Sequence, residues 1–120
     1  MEFEPKRAIY LQIGDYVCEN ILSGTWKAGD RIPSVREMAV SLEVNPNTVM
    51  RSYSYLQESG IIANQRGLGY FVGERSREAA LGLKRQEFAA VELKRVFRTM
   101  ELLGFGIDDL KGFYESYRKA

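Results

Sequence analysis

The 120-residue chain contains no histidine and a single cysteine, Cys18. Histidine is the commonest general base in enzymes and the commonest protein ligand for metals, so its absence argues against catalysis and against a metal centre. Cys18 lies beside the apolar stripe of a predicted first helix, which favours a small core residue over a redox or metal-binding role. We therefore expect neither an enzyme nor a protein with a metal or another cofactor.

Two kinds of segment are also lacking. No run of about 18 apolar residues could span a bilayer, and we expect no signal peptide. There is no glycine-rich loop for a nucleotide phosphate either, because Gly67-x-Gly69 is too short and precedes a predicted strand rather than a helix. The hydrophobic content of 45% is ordinary for a soluble globular protein. We expect a cytoplasmic protein with no membrane partner.

The chain does contain a strong helix start at Ser34. Ser34 and Glu37 have the spacing of a capping box, in which each side chain hydrogen-bonds the other residue's backbone N–H. Apolar residues then recur at intervals of three and four, at Val35, Met38, Ala39 and Leu42. This spacing predicts a helix that begins at Ser34 and buries one side.

A second helix start follows after a short turn, at Asn45-Pro46. Asparagine is a strong N-cap and proline is tolerated at the first helical position. We expect this helix to begin at about Pro46 and to end at Gly60. Its inward-facing positions are Val49, Tyr53 and Leu56. Two short helices joined by a tight turn indicate a helix-turn-helix.

Two strand-like runs follow, at residues 61–65 and 70–72. The segment between them, Arg66-Gly67-Leu68-Gly69, contains glycines that permit the positive φ angles of a tight hairpin. Helix, turn, helix and hairpin together predict a winged helix-turn-helix, which places the start of its second helix in a DNA groove.

In this order and spacing, the motifs resemble the GntR-type bacterial transcription regulators and, within them, the short YtrA-like branch. The resemblance covers most of residues 8 to 72 and is specific only as a whole. Its segments are Ala8–Ile13, Gly24–Ala39, Val44–Val49 and Arg66–Val72. It implies a sequence-specific regulator of transcription, a repressor that binds a double-stranded operator and controls a transporter operon.

The candidate DNA-binding residues lie at the two helix starts and the hairpin tip: Ser34, Arg36, Asn45, Asn47, Thr48, Arg51, Arg66 and Gly67. The family resemblance gives Arg36 a contact to a base edge or a phosphate. Each candidate also has a purely structural interpretation: Asn45 as a helix cap, the arginines as solvated surface charges, and Gly67 as an ordinary hairpin residue. Met50 either contacts a thymine methyl or packs against the protein. Tyr10, Tyr53 and Phe71 are expected in the core.

The charge of the predicted DNA-binding domain is an objection to this assignment. Residues 1 to 73 contain seven basic and eight acidic side chains, for a net charge of −1. Nucleic-acid affinity normally depends on a basic surface. The assignment therefore requires that Arg36, Arg51 and Arg66 be concentrated on the DNA-facing elements, and it predicts modest affinity for a monomer.

The pattern changes after Gly73. One helix is predicted to about Leu103, with apolar residues at intervals of four, three, four and three: Ala89, Leu93, Val96, Met100 and Leu103. A final helix from about Ile107 to Tyr117 places Leu110, Phe113 and Tyr117 on one side. So short a pair of helices cannot bury these groups alone. We expect them to pair with a second copy of the chain, with packing onto the DNA-binding domain as the alternative.

The predicted fold class is α+β, mainly α. An N-terminal winged helix-turn-helix domain of residues 1–73 is followed by a two-helix C-terminal dimerisation appendage of residues 74–120. The appendage is too short for a dedicated small-molecule effector domain. The alternative function is a winged-helix protein-interaction module without DNA specificity, for which a nearly neutral domain is no objection.

Overall fold

The computed structural model describes all residues from 1 to 120. It is mainly helical with one small antiparallel sheet, which confirms the predicted fold class. The elements are α1 (Ile9–Leu22), α2 (Val35–Leu42), α3 (Pro46–Glu58), β1 (Ile62–Gln65), β2 (Gly69–Val72), α4 (Ser76–Glu87), a π-helical turn (Phe88–Glu92), α5 (Leu93–Leu103) and α6 (Ile107–Lys119).

The chain forms two compact units, residues 1–83 and residues 84–120, called here the head and the C-terminal unit. The head contains the hydrophobic core, to which α1, α2 and α3 each contribute one apolar stripe. The predicted stripes of α2 and α3 face this core, and Cys18 is buried within it. Burial of these stripes is the main stabilisation of helices as short as α2, whose eight residues would not be helical in isolation.

Side-chain caps determine where α2 and α3 begin. The Ser34 hydroxyl accepts a hydrogen bond from the Glu37 N–H at 3.1 Å, and the Glu37 carboxylate accepts one from the Ser34 N–H at 3.0 Å. Asn45 Oδ1 accepts a hydrogen bond from the Asn47 N–H at 2.8 Å, and Pro46 is the first residue of α3. Both predicted helix starts are confirmed to within a residue. Glu43, at the end of α2, has a φ of 57° and makes the tight turn between the helices.

The β-hairpin has a third, short partner that the sequence did not reveal. β1 and β2 pair in antiparallel register from Ile62 opposite Val72 to Gln65 opposite Gly69. Arg31 forms an additional bridge to Phe71, and the Ile32 N–H donates a 3.0 Å hydrogen bond to the Tyr70 carbonyl. The segment before α2 therefore anchors the wing to the helix-turn-helix.

The head extends further along the chain than the expected boundary after residue 73. Ser76 and Ala80, in the first turns of α4, are 3% and 0% exposed. Ala79 and Leu83 pack against the same core. The first two turns of α4 are therefore part of the head, and the division falls after Leu83.

The C-terminal unit has no core of its own. None of residues 84–120 is buried, although many are large and apolar. Phe105 and Phe113 make an edge-to-face contact with ring centroids 5.4 Å apart. A π-helical turn at Phe88–Glu92 interrupts what the sequence predicted as a regular helix. None of the helices is both long and apolar enough to cross a bilayer.

Candidate nucleic-acid interface

One edge of α3 faces solvent along its whole length. Asn47, Met50, Arg51 and Ser54 are exposed and follow the helical spacing of three and four; we call them the α3 edge. The opposite side, which includes Val49, Tyr53 and Leu56, is 0% exposed. The outward placement predicted for Asn47 and Arg51 is therefore present, whereas Thr48 is half-buried beside them.

Two of the candidate DNA-binding residues, Ser34 and Asn45, are the N-caps of α2 and α3. Their side-chain oxygens accept hydrogen bonds from the backbone of α2 and α3. Because a capped helix start has a fixed direction, these residues orient the first turns that carry Arg36 and Asn47. The Asn47 side chain makes no hydrogen bond within the chain and remains available to a ligand.

Arg51 is held in place by an aromatic ring. Its guanidinium carbon lies 3.9 Å from the centroid of the Tyr10 ring, within the range of a cation–π contact. Tyr10 in turn meets Tyr55 edge to face, with ring centroids 6.0 Å apart and planes at 87°. The expectation that Tyr10 belongs to the core is wrong: the ring is half-buried at the surface and supports Arg51. Phe71, also expected in the core, is likewise only half-buried.

Tyr70, on the wing, contacts one exposed and one buried residue of α3, Met50 and Tyr53. Its hydroxyl is 3.9 Å from the Met50 sulfur, and its ring lies edge-on to Tyr53 with centroids 4.9 Å apart. Tyr53 donates a 2.6 Å hydrogen bond to the Pro33 carbonyl. Burial raises the pKa of the Tyr53 hydroxyl far above its ordinary value, so it remains a donor at any working pH. Met50 is 47% exposed and lies against the wing.

The wing tip is exposed and sterically open. Gly67 has a φ of +78°, and a Cβ there would meet nothing within 4 Å. Arg66 beside it is also exposed. A side chain at Gly67 would be strained by the backbone angle rather than by crowding, so glycine is needed here for the turn.

Arg31 is a candidate that sequence reasoning missed. It is exposed on the wing side of the head, where its Nε lies 3.4 Å from the position that a Cβ on Gly69 would occupy. Its partner in β2, Phe71, is 40 residues away in the sequence, and the backbone bridge between the two brings Arg31 to the wing. The charge of Arg31 also contributes to lowering the pKa of the Glu37 carboxyl, after the larger effects of the Ser34 N–H and hydroxyl.

The arginines of the helix-turn-helix and the wing are free of ion pairs. No carboxylate lies within salt-bridge distance of the four arginines Arg31, Arg36, Arg51 and Arg66. Their charge is therefore available to an anionic ligand even though residues 1–73 have a net charge of −1. The structure thus has an exposed arginine without an ion pair on α2, on α3, at the wing tip and beside the wing.

The packing of α1, α2 and α3, the exposed α3 edge and the hairpin beside it define a winged helix-turn-helix protein. The model of the family described as "Bacterial regulatory proteins, gntR family" matches residues 9–72. The chain belongs to this family, in which it is similar to the YtrA-like regulators. It is a GntR-family transcriptional regulator with a DNA-binding winged helix-turn-helix.

Relatives and solved structures agree with this assignment. The chain is 41% identical over 75 residues to the uncharacterized HTH-type transcriptional regulator YhcF of Bacillus subtilis, covering 62% of each chain. It is 39% identical over 79 residues to the HTH-type transcriptional repressor YtrA of the same organism, covering 64% of this chain and 61% of that one. The chain thus spans about three fifths of these two relatives.

The similarity to solved structures extends further along the chain. A GntR-family protein from Bacteroides thetaiotaomicron has a TM-score of 0.79 and 42% identity to it, over 93% of this chain and 97% of that one. The similarity therefore includes helices beyond the winged helix-turn-helix.

Proposed function

We propose that the protein is a repressor that acts as a homodimer on a two-fold symmetric DNA operator in front of a transporter operon. The observation on which this rests is the α3 edge, which is exposed, capped at its start and accompanied by four arginines without ion pairs. YtrA of Bacillus subtilis is described as a repressor, and the proposal extends that activity to this chain. Its DNA target implies that it acts in the cytoplasm.

On DNA, the first turn of α3 enters the major groove. Asn47 and Thr48 contact base edges there, and the positive end of the helix dipole favours a nearby phosphate oxygen. Arg36, exposed on the first turn of α2, offers two parallel donors to a guanine edge. Ser34 and Asn45 act chiefly by fixing the two helix starts.

The wing contacts the flanking DNA. The Arg66 side chain enters the minor groove or lies along the backbone, and Gly67 lets the main chain approach closely. Tyr70 keeps the wing in position relative to α3 through Met50 and Tyr53. Arg31 adds a phosphate contact at the base of the wing.

Dimerisation takes place through the C-terminal unit. Its apolar side chains are uncovered: Val96, Leu103, Phe113 and Tyr117 are 37%, 61%, 57% and 78% exposed. Ala89, Leu93, Met100 and Leu110 complete the surface. A second copy would cover this surface and place two α3 helices about 10 base pairs apart, or a multiple of that, on an inverted repeat. Occupation of a promoter by the dimer would exclude RNA polymerase.

Titration of promoter fragments at two salt concentrations tests the proposal. We expect Arg36→Ala to weaken specific binding by about 1–3 kcal/mol and to relax selectivity at one operator position. Arg51→Ala should weaken binding to all DNA sequences. It should also reduce the slope of the logarithm of the binding constant against the logarithm of the salt concentration by about one. Arg85→Ala, which removes an exposed arginine from the C-terminal unit, is the control and should leave both unchanged.

The alternative interaction module makes the opposite prediction. If binding to promoter DNA is absent, or is indifferent to both Arg36→Ala and Arg51→Ala, α3 does not contact DNA and the proposal is wrong. A protein partner of α3 would then be the better explanation of its exposed edge.

A further inference from the structure

The contact between Arg51 and Tyr10 joins α3 to the start of α1. A surface arginine normally samples many rotamers and loses that freedom when it binds a ligand. Here the guanidinium carbon already lies over a ring, 3.9 Å from its centroid, and that ring contacts Tyr55 edge to face with centroids 6.0 Å apart. The three residues come from two helices, and the arrangement orders Arg51 before any ligand is present.

A hollow lies beside this stack, with a volume of about 330 Å³. It is lined by Ala8, Ile9, Tyr10, Asn47, Thr48 and Arg51. Arg51, Thr48 and Asn47 supply hydrogen-bond donors of three kinds, and no carboxylate lines the hollow. Such a lining suits a compact anion with several acceptor oxygens, and a planar guanidinium matches a phosphate through two parallel donors.

We propose that Tyr10 is a positioning residue for Arg51 and that the hollow binds one phosphate of the DNA backbone. The DNA interface then extends from α3 to the start of α1, outside the helix-turn-helix and the wing. This inference rests on the proposed DNA-binding function. It goes beyond that function by assigning Tyr10 the role of holding Arg51 in place.

The stack itself is tested without DNA. In the NMR spectrum of the full chain, the ring current of Tyr10 should shift the side-chain protons of Arg51 upfield of those of Arg36 and Arg66. The shift should persist in Tyr10→Phe, which keeps the ring, and disappear in Tyr10→Leu. Unshifted Arg51 protons in the unmodified chain would overturn the proposal whatever the DNA binding.

The role in binding is tested with the operator. We expect Tyr10→Leu to weaken operator binding about two- to fivefold, the range of an exposed cation–π contact, and Tyr10→Phe to bind nearly as well as the unmodified chain. In an Arg51→Ala background, Tyr10→Leu should have no further effect. The positioning role would be overturned if Tyr10→Leu weakened operator binding equally in the Arg51→Ala variant. It would also be overturned if Tyr10→Leu did not weaken binding in the chain that keeps Arg51.

The phosphate is identified with operators that carry one neutral methylphosphonate at a time. One position on each half-site should weaken binding of the unmodified chain and leave binding of Arg51→Ala unchanged. If no position shows this pattern, the hollow does not bind a backbone phosphate. Failure of the unmodified chain to bind any operator would instead contradict the proposed function, while the NMR result would still report on the stack. If Tyr10→Leu does not fold, Tyr10→Met replaces it in every comparison.

Discussion

At the scale of single residues, the head depends on polar side chains that fix helix ends. Ser34, Glu37 and Asn45 satisfy backbone donors that the first turns of α2 and α3 would otherwise leave unpaired. These hydrogen bonds are local in sequence, which explains why both helix starts could be predicted from residue types alone. They also fix the directions of the two helix starts that carry Arg36 and Asn47.

Glu37 gives a prediction about pH at this scale. The N–H and hydroxyl of Ser34, and secondarily the charge of Arg31, hold the pKa of the Glu37 carboxyl below its ordinary value of 4.5. Because the folded-state pKa is lowered, the carboxylate stabilises the fold above pH 4.5, and this contribution is lost as the pH falls through the folded-state pKa. Glu37→Gln keeps an acceptor oxygen but cannot ionise, so it should lessen the loss of stability on acidification.

The measurement is the urea midpoint of unfolding as a function of pH, between about pH 3 and pH 6. Glu58→Gln, at an exposed position near the end of α3, is the control. Equal pH dependence in Glu37→Gln and the unmodified chain would show that the cap does not favour the ionised carboxyl.

At the scale of elements, α4 is divided between the two units. Its first turns bury Ser76 and Ala80 in the head, while residues from Lys84 onward belong to the C-terminal unit. The sequence marks a change after Gly73, because the hairpin ends there, but nothing local shows which core the next helix joins. Packing between distant segments decides the boundary.

Ala80 provides the test of this division. It is 0% exposed, so Ala80→Asp would bury an unpaired carboxylate in the head core. We expect the free energy of unfolding of the head to fall by roughly 2–4 kcal/mol in chemical denaturation. Gln86→Asp, on an exposed position of the same helix beyond the head, should cost less than about 0.5 kcal/mol. Equal costs for the two variants would place the head boundary before α4.

The same distinction between local and distant contacts explains what could be predicted of the site. The helices, the hairpin and the outward placement of Asn47 and Arg51 follow from spacing and caps. The stack of Arg51 on Tyr10 and the bridge from Arg31 to Phe71 join segments about 40 residues apart. Neither contact has a signal in local periodicity, so the sequence pattern predicts a core position for Tyr10 and no role in the site for Arg31. The π-helical turn at Phe88–Glu92 likewise has no recognisable pattern.

At the scale of the whole molecule, the two units differ in how their apolar groups are covered. The head buries fifteen hydrophobic side chains in one core, whereas the C-terminal unit leaves its apolar residues in contact with solvent. A surface of this kind is costly for an isolated chain and typical of a subunit interface. Dimerisation would also double the number of DNA contacts, which compensates for the lack of a net positive charge on each head.

Val96 tests the proposed dimer. It lies on the apolar stripe of α5, so Val96→Glu should weaken self-association more than about tenfold in analytical ultracentrifugation, because it would bury a charge at the interface. Operator affinity should fall with it. Leu102→Glu makes a similar change on the opposite side of α5, at a residue that is 85% exposed, and should leave the dimer intact. A monomeric unmodified chain, or equal effects of both variants, would contradict dimerisation through this stripe.

The central claim is that paired α3 edges recognise a specific DNA sequence. Selection of bound sequences from a random pool of duplexes by the full-length protein tests it most directly. The account predicts enrichment of an inverted repeat whose half-site centres are about 10 base pairs, or a multiple of that, apart. Recovery of a pool with no enriched sequence would contradict it.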